Sequence, residues 1–441
     1  MQAAKARATA KRRKLQASAA QGHGYDVDAG EIAIGVVIGR TSEFFDFFVY
    51  AIASVLVFPR YVFPTLPPLQ GMLWSFAIFA VAFLARPVGT AIFTPVDSYF
   101  GRGVRLTIAL FMLGGSTAAI AFLPGYNTIG WGAALLLTIL RAGQGFAAGG
   151  AWDGLASLLS INSPRDRRGW YAMIPQLSAP LGLAIASGLF AYFLLNLSAD
   201  DFFDWGWRYP FFVAFVINVV ALFARLRMVE TPQYRRQFEN RELEPSGILT
   251  TIRSEGSTIA AGAFAPLASF ALFHMVTVFP LSWVFLFTED SPIRILIIEI
   301  IGAGFGAAAI VASGLLADRY GRRPLLIATA CAVAAYSGFA PQLLSAGEWG
   351  EATFVIVGFV ILGLSFGQSS GSMAQNFQPI HRFTASALTA DFAWLFGAGF
   401  APLAALLLAS LFGLQASGAY LLSGALCTIV ALFMGHTNRA V

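Results

Sequence analysis

Long apolar runs alternate with short polar connections along almost the whole chain. Six of them, at about 32–58, 69–96, 106–123, 129–161, 170–197 and 209–228, precede a polar, charge-mixed stretch near 229–254. Six more follow, at about 258–287, 293–317, 325–344, 352–377, 385–412 and 416–434. Roughly 20 apolar residues wind a helix across a hydrocarbon core of about 30 Å, so each run is long enough to span a bilayer. The pattern predicts an all-α membrane protein of twelve transmembrane helices in two six-helix halves. Its expected division is a basic tail over 1–31, a first half over 32–228, a central loop over 229–256, a second half over 257–436 and a short tail over 437–441.

Composition agrees. Apolar residues make up 57% of the 441 and charged residues 12%, against about 25% charged in soluble domains. Lys and Arg also carry topology, because positive residues concentrate in short cytoplasmic connections. With both termini placed inside, 22 of the 28 fall on the cytoplasmic side, counting Arg225 among them, and only Arg60, Arg208 and Arg294 lie outside. Both ends are therefore expected to be cytoplasmic, with the basic tail near anionic lipid. Cys331 and Cys427 lack CxxC spacing and the four histidines lack any metal-binding spacing, so no metal site and no cofactor are expected. Membrane topology accounts for the basic charge, which leaves nucleic acid out.

Charge inside a span costs several kcal/mol unless it is paired or faces water, so it marks function first. The first run holds Arg40, Glu43 and Asp46 at i, i+3, i+6, along one helical stripe. That stripe is expected to face a cavity or partner helices, with the phenylalanines between it against lipid or packed protein. An Arg40–Glu43 pair that merely orients the helix is the plainer alternative. Arg141, expected in the outer third of the fourth run, can hold a carboxylate by two parallel hydrogen bonds, or pair with Glu43 or Asp46. Asp153 is a further proton or cation site, or a satisfied residue at the end of its span. Asp391 with Trp394 at i+3, and Glu299, are additional cavity candidates, while Gln176 and His274 are hydrogen-bonding candidates or helix–helix contacts. Gly145 and Gly149 have the small-xxx-small spacing of close helix packing.

An internal repeat supports two parallel halves. Asp97-Ser98-Tyr99-Phe100-Gly101-Arg102 follows the second run, Asp318-Arg319-Tyr320-Gly321-Arg322-Arg323 follows the eighth, and the two glycines are 220 residues apart. The second of these turns resembles the D-R-x-G-R-R loop of the major facilitator superfamily. Glu43-Phe44-Phe45-Asp46, Ala85-Arg86-Pro87-Val88-Gly89, Arg141-Ala142-Gly143-Gln144-Gly145, Pro175-Gln176-Leu177 and Trp207-Arg208-Tyr209-Pro210-Phe211 resemble its metabolite:proton symporter family, which includes carriers of shikimate, oxoglutarate, citrate and proline or betaine.

The resemblance implies alternating access, and gating by the two loops through Asp97, Arg102, Asp318, Arg319, Gly321, Arg322 and Arg323. It also implies departures. Ser98 stands where the family has its loop acid and Tyr99 where it has Arg, and Ala151 replaces a glutamate with Asp153 two positions on. Ser178-Ala179-Pro180 lacks the Gly-Pro pair of the antiporter pattern, which leans toward symport. The expected function is proton-coupled symport of a small organic anion by a monomer. Glu43, Asp46 and Asp153 would couple the proton; Arg40, Arg141, Gln176, His274, Asp391 and Trp394 would bind the substrate. A zwitterion symporter for an amino acid or betaine, and a transport-deficient sensor of the same fold, are the alternatives. No nucleophile–base pattern or phosphate-cradling loop points to an enzyme.

Overall fold

The computed structural model describes residues 29–152, 159, 164–229, 245–369 and 377–437. Asp153 and nearly all of the basic tail lie outside them. Among the described residues there is no strand. Ten helices are long and apolar enough to cross a membrane. In the first half these are α2 (Pro68–Phe100), α3 (Arg102–Ala121), α5 (Arg168–Asn196) and α6, whose helix proper is Tyr209–Val229. In the second they are α7 (Leu267–Phe287), α8 (Pro292–Tyr320), α9 (Arg322–Leu344), α10 (Gly347–Phe366), α11 (Arg382–Phe412) and α12, Gly418–Thr437. Two further helices complete the twelve: α1 (Ala29–Leu56) and α4 (Gly132–Gly150). They are the helices that carry Arg40, Glu43 and Asp46 and Arg141 with Gln144. The membrane helices with the poorest span composition build the site.

Packing repeats between the halves. The pairs α2–α4 and α8–α10 are the tightest, and α3–α6 and α9–α12 form a second matching set. Small residues make the close approach possible: a Cβ on Gly145 or Gly149 of α4 would overlap the carbonyl oxygens of Ala82 or Arg86 on α2, and one on Gly363 of α10 would overlap that of Gly306 on α8. Gly145 and Gly149 are therefore packing residues. The halves meet along α5–α8 and α2–α11.

At one end of the bundle α2 passes into α3 through Gly101 and α8 into α9 through Gly321, at φ 83° and 89°. Only glycine adopts that region without strain, and it allows one helix to stop and the next to start with no loop between.

Three helices are interrupted where they face the centre. Pro280 follows a break in α7 between Thr277 and Phe279, α11 widens into a π turn over Leu395–Gly399, and α5 tightens into a 3-10 turn over Ile174–Leu177. The fourth run is shorter than its apolar pattern indicated. Because α4 ends at Gly150, Arg141 sits at the helix midpoint and not in an outer third. The lead-in helix Ile248–Phe264 reaches back into the central stretch before α7.

A candidate substrate and proton site

The charged stripe of α1 does face a cavity. Arg40, Glu43 and Asp46 line a space of about 80 Å³ together with Phe44, Phe47, Ala82, Phe83, Arg86, Arg141, Gln144 and Trp394. All of these come from the first half except Trp394, which closes the space from α11. The phenylalanines of α1 divide: Phe44 and Phe47 line the cavity beside the charged stripe, while Phe45 and Phe48 are buried in packed protein. Phe48 stacks on Phe273 of α7 and Phe47 on His274, while Phe44 meets Phe273 at a tilt. Together with Phe83, Phe270, Phe366 and Trp394 they form an aromatic layer that joins the halves beside the cavity.

Two polar chains run through the wall. In the first, Arg225 Nη2 of α6 donates to Glu43 Oε1 at 2.5 Å and to the Gly39 carbonyl at 2.8 Å, while Nη1 donates to the Ala151 carbonyl at 3.2 Å. Arg40 approaches the other Glu43 oxygen only to 3.9 Å, beyond hydrogen-bond range. The partner of Glu43 is thus Arg225 more than Arg40. Arg225 is almost fully buried, and this corrects the count that placed it among the connecting-loop cations. Its position at the end of an apolar run looks like a topology signal, and only the packing of α6 on α1 shows otherwise.

In the second chain Arg141 Nη1 donates to Gln144 Oε1 at 3.0 Å, Gln144 Nε2 donates to Thr117 Oγ1 at 2.8 Å, and Thr117 Oγ1 lies 2.6 Å from Asp46 Oδ1. Arg141 therefore does not pair directly with either acid in this state. Its guanidinium is caged by aromatic rings, 3.9 Å from the centre of Tyr50 and 5.0 Å from that of Phe79. Its Nη2 has no hydrogen-bond partner among the described residues. A buried guanidinium with a spare donor can take a hydrogen bond to an anion.

Thr117 links Gln144 to Asp46. Its single hydrogen has two acceptors in range, Asp46 and the Leu113 carbonyl at 3.0 Å. If Asp46 is ionised, the hydroxyl turns to it. If Asp46 carries a proton, it donates to Thr117, which still accepts from Gln144 and donates to Leu113, so that every member is satisfied. Sequence reasoning named neither Thr117 nor Gln144 as a site residue; Gln144 lies one turn from Arg141, Thr117 lies 71 residues from Asp46, and neither is charged.

Asp391 is held away from the cavity. Arg86 Nε of α2 donates to its Oδ1 at 2.6 Å and Thr90 Oγ1 to its Oδ2 at 2.5 Å, which ties the halves together. Arg86 itself is part of the cavity wall, its side chain 18% exposed. His274 is buried, 3.4 Å through Nδ1 from Thr277, and shares the Phe47 and Phe79 rings with Arg141. Gln176 lies buried in the tight turn within α5 and is not among the residues lining the cavity.

Around Gly321, Asp318 accepts from the Gly169 and Trp170 amides at 2.5 and 3.1 Å, across to the first half. Arg322 donates to Gln368 at 3.2 Å and Arg323 to the Leu432 carbonyl at 2.9 Å, while Arg319 lies over Tyr320. Around Gly101, Asp97 instead holds Arg102 and Arg105 of its own half at 3.3 and 3.4 Å. Those two guanidinium groups stand over the Phe383 ring of α11.

Twelve helices in two matching halves, with a polar centre and paired glycine turns at one end, define a multi-pass carrier. Residues 42–402 match the Major Facilitator Superfamily, and the chain belongs to it. An inner membrane metabolite transport protein of Escherichia coli (strain K12) is 35% identical over 421 residues, covering 93% of this chain and 94% of the relative. The shikimate transporter of the same organism is 31% identical over 430 residues, covering 93% and 96%. Among solved structures, the D-xylose-proton symporter superposes with a TM-score of 0.69 at 17% identity, over 92% of this chain and 96% of that one. The chain is an integral multi-pass membrane protein, and its relatives are transporters, not enzymes.

Proposed function

We propose that the protein is a proton-coupled symporter of a small organic anion, with the cavity between α1, α2 and α4 as its central site. The observation that carries this reading is the chain Arg141–Gln144–Thr117–Asp46, which joins an anion receptor to a carboxyl group able to hold a proton with every partner satisfied. The substrate carboxylate engages Arg141 and Arg40, with Trp394 closing over it. Asp46 takes the proton, and Glu43 is the counter-ion that Arg225 retains when Arg40 turns to the substrate. Substrate and proton then cross together as the halves rock about the central site. Transport of metabolites by the bacterial relatives supports the substrate class, and the placement of Lys and Arg supports cytoplasmic termini in an inner membrane. The functional unit is a monomer.

The cavity has room for a few waters in this state, so substrate entry requires the aromatic layer to part. Polar ties between the halves are richest near Gly101 and Gly321, which fits a state closed at that end.

The test begins with thermal shift of the purified chain in detergent against shikimate, dicarboxylates, amino acids and glycine betaine at acidic and neutral pH. A ligand at 100 times its dissociation constant adds about 2.7 kcal/mol to the native state. Stabilisation by carboxylates, stronger at acidic pH, is expected; stabilisation by zwitterions alone overturns the anion assignment. In proteoliposomes with the ligand so found, Asp46→Asn is expected to keep counterflow and lose accumulation driven by a proton gradient. Accumulation that survives in both Asp46→Asn and Glu43→Gln overturns the coupling, and binding without any transport marks a sensor.

A further inference from the structure

Glu299 of α8 takes no part in the cavity. Its side chain is fully buried, on the face of α8 that packs against α5 of the other half. Ser187 Oγ donates to its Oε2 at 3.0 Å, and Oε1 has no hydrogen-bond partner among the described residues. No described cation is in salt-bridge range of it. Arg294, near the start of α8, is tied to Asp290 and to Glu351 of α10. Over Ser178–Asn196, α5 offers only the exposed Tyr192, α7 only His274 against Phe47, and α9 Cys331 and Tyr336, whose hydroxyl donates to the Phe354 carbonyl, besides Arg322 and Arg323 at its first turn, which donate to Gln368 and the Leu432 carbonyl. One hydroxyl does not offset the desolvation of an ionised carboxylate, which costs several kcal/mol.

Position gives this carboxyl its role. The same α5–α8 seam is tied at its far end by Asp318 on the Gly169 and Trp170 amides, about 19 residues and so roughly 28 Å further along α8. Rocking of the halves parts one end of the seam while closing the other. Glu299 meets water only when its own end opens.

We propose that Glu299 is a second proton-binding site, loaded from the side where α8 begins, and that its proton is required for the α5–α8 seam to close there. Closing this end binds a proton, so rising pH favours opening. One such site changes the closed-to-open ratio by at most about tenfold per pH unit. The proposal does not depend on proton binding at Asp46.

The experiment uses the full chain in lipid nanodiscs with Cys331 and Cys427 replaced by Ala. Spin labels go on Leu195→Cys of α5 and Ile297→Cys of α8, both exposed positions near that end. Inter-label distances are recorded by pulsed electron resonance from pH 5 to 9 with no substrate present. The expected result is a short distance at acidic pH that gives way to a longer one as pH rises, abolished in Glu299→Gln and retained in Asp46→Asn. A pH-invariant distance in the parent, or an unchanged shift in Glu299→Gln, overturns the proposal; loss in Asp46→Asn alone assigns the sensing to the central site. A second measurement needs no substitution at Glu299. Dicyclohexylcarbodiimide, an apolar reagent for protonated carboxyl groups, is expected to label Glu299 at acidic pH, read by peptide mass spectrometry, with the yield falling as pH rises. A yield that does not fall as pH rises also overturns it.

Discussion

At Gly321 the second half reaches into the first through a carboxylate, and at Gly101 the first half reaches into the second through two guanidinium groups. The backbones match, since each glycine has positive φ and joins two long helices. The targets match as well. Asp318 meets Gly169, the second residue of α5, and Arg102 and Arg105 stand 4.4 and 5.4 Å over the ring of Phe383, the second residue of α11. The chemistry differs because Ser98 occupies the place of Asp318 and turns back to the Thr94 carbonyl of its own helix. A carboxylate on two amides is short and directional, while a cation over a ring tolerates sliding. One tie is sharp and the other soft. On the soft side the directional contact is made deeper in the bundle, by Arg86 and Thr90 on Asp391.

That contrast can be broken experimentally in descending order of effect. Asp391→Asn should weaken the closed end most, by about 3 kcal/mol, the low end for breaking a buried pair because Arg86 is partly exposed. Accessibility of engineered cysteines on the inner faces of α2 and α11 reads it out. The exchanged pair Arg86→Asp with Asp391→Arg should recover part of the loss, and failure to recover any would mean that the pair does not act between the halves. Asp318→Asn should cost about 2 kcal/mol, as for hydrogen bonds to a charged acceptor, seen as opening between α5 and α8. Phe383→Leu should cost about 1 kcal/mol, with the ring's attraction lost and its bulk kept. An effect as large as that of Asp318→Asn would erase the distinction between a soft tie and a sharp one. Ser98→Asp should change stability least, within about 0.5 kcal/mol, because the position is exposed. If it instead tightens contact with α11 measurably, the two turns differ only in that one side chain.

Much of this architecture is legible in the chain. The α1 stripe of Arg40, Glu43 and Asp46 pointed to the cavity it lines, because charge at helical spacing in an apolar run leaves few places to go. The small-residue spacing of Gly145 and Gly149 read correctly as close packing against α2. Other assignments depended on partners far away in sequence. Arg225 resembled one more loop cation until α6 was seen against α1, 182 residues from its acid. Asp391 had the same acid-plus-aromatic look as the first span, yet Arg86, 305 residues away, draws it into a tie between the halves. Of the pair at i+3, only Trp394 reaches the cavity.

Local pattern alone therefore determined the twelve helices, their grouping by six, the matching glycine turns and the helix that carries the central charge. These follow from hydropathy and backbone geometry, which act over a few turns. Tertiary structure decided which arginine neutralises Glu43, that Arg141 reaches Asp46 through Gln144 and Thr117, and that Glu299 is sealed against Ser187. The physical reason is one of range. A hydrogen bond or ion pair is decided by separations of about 3 Å, and across helices those are set by how the bundle packs.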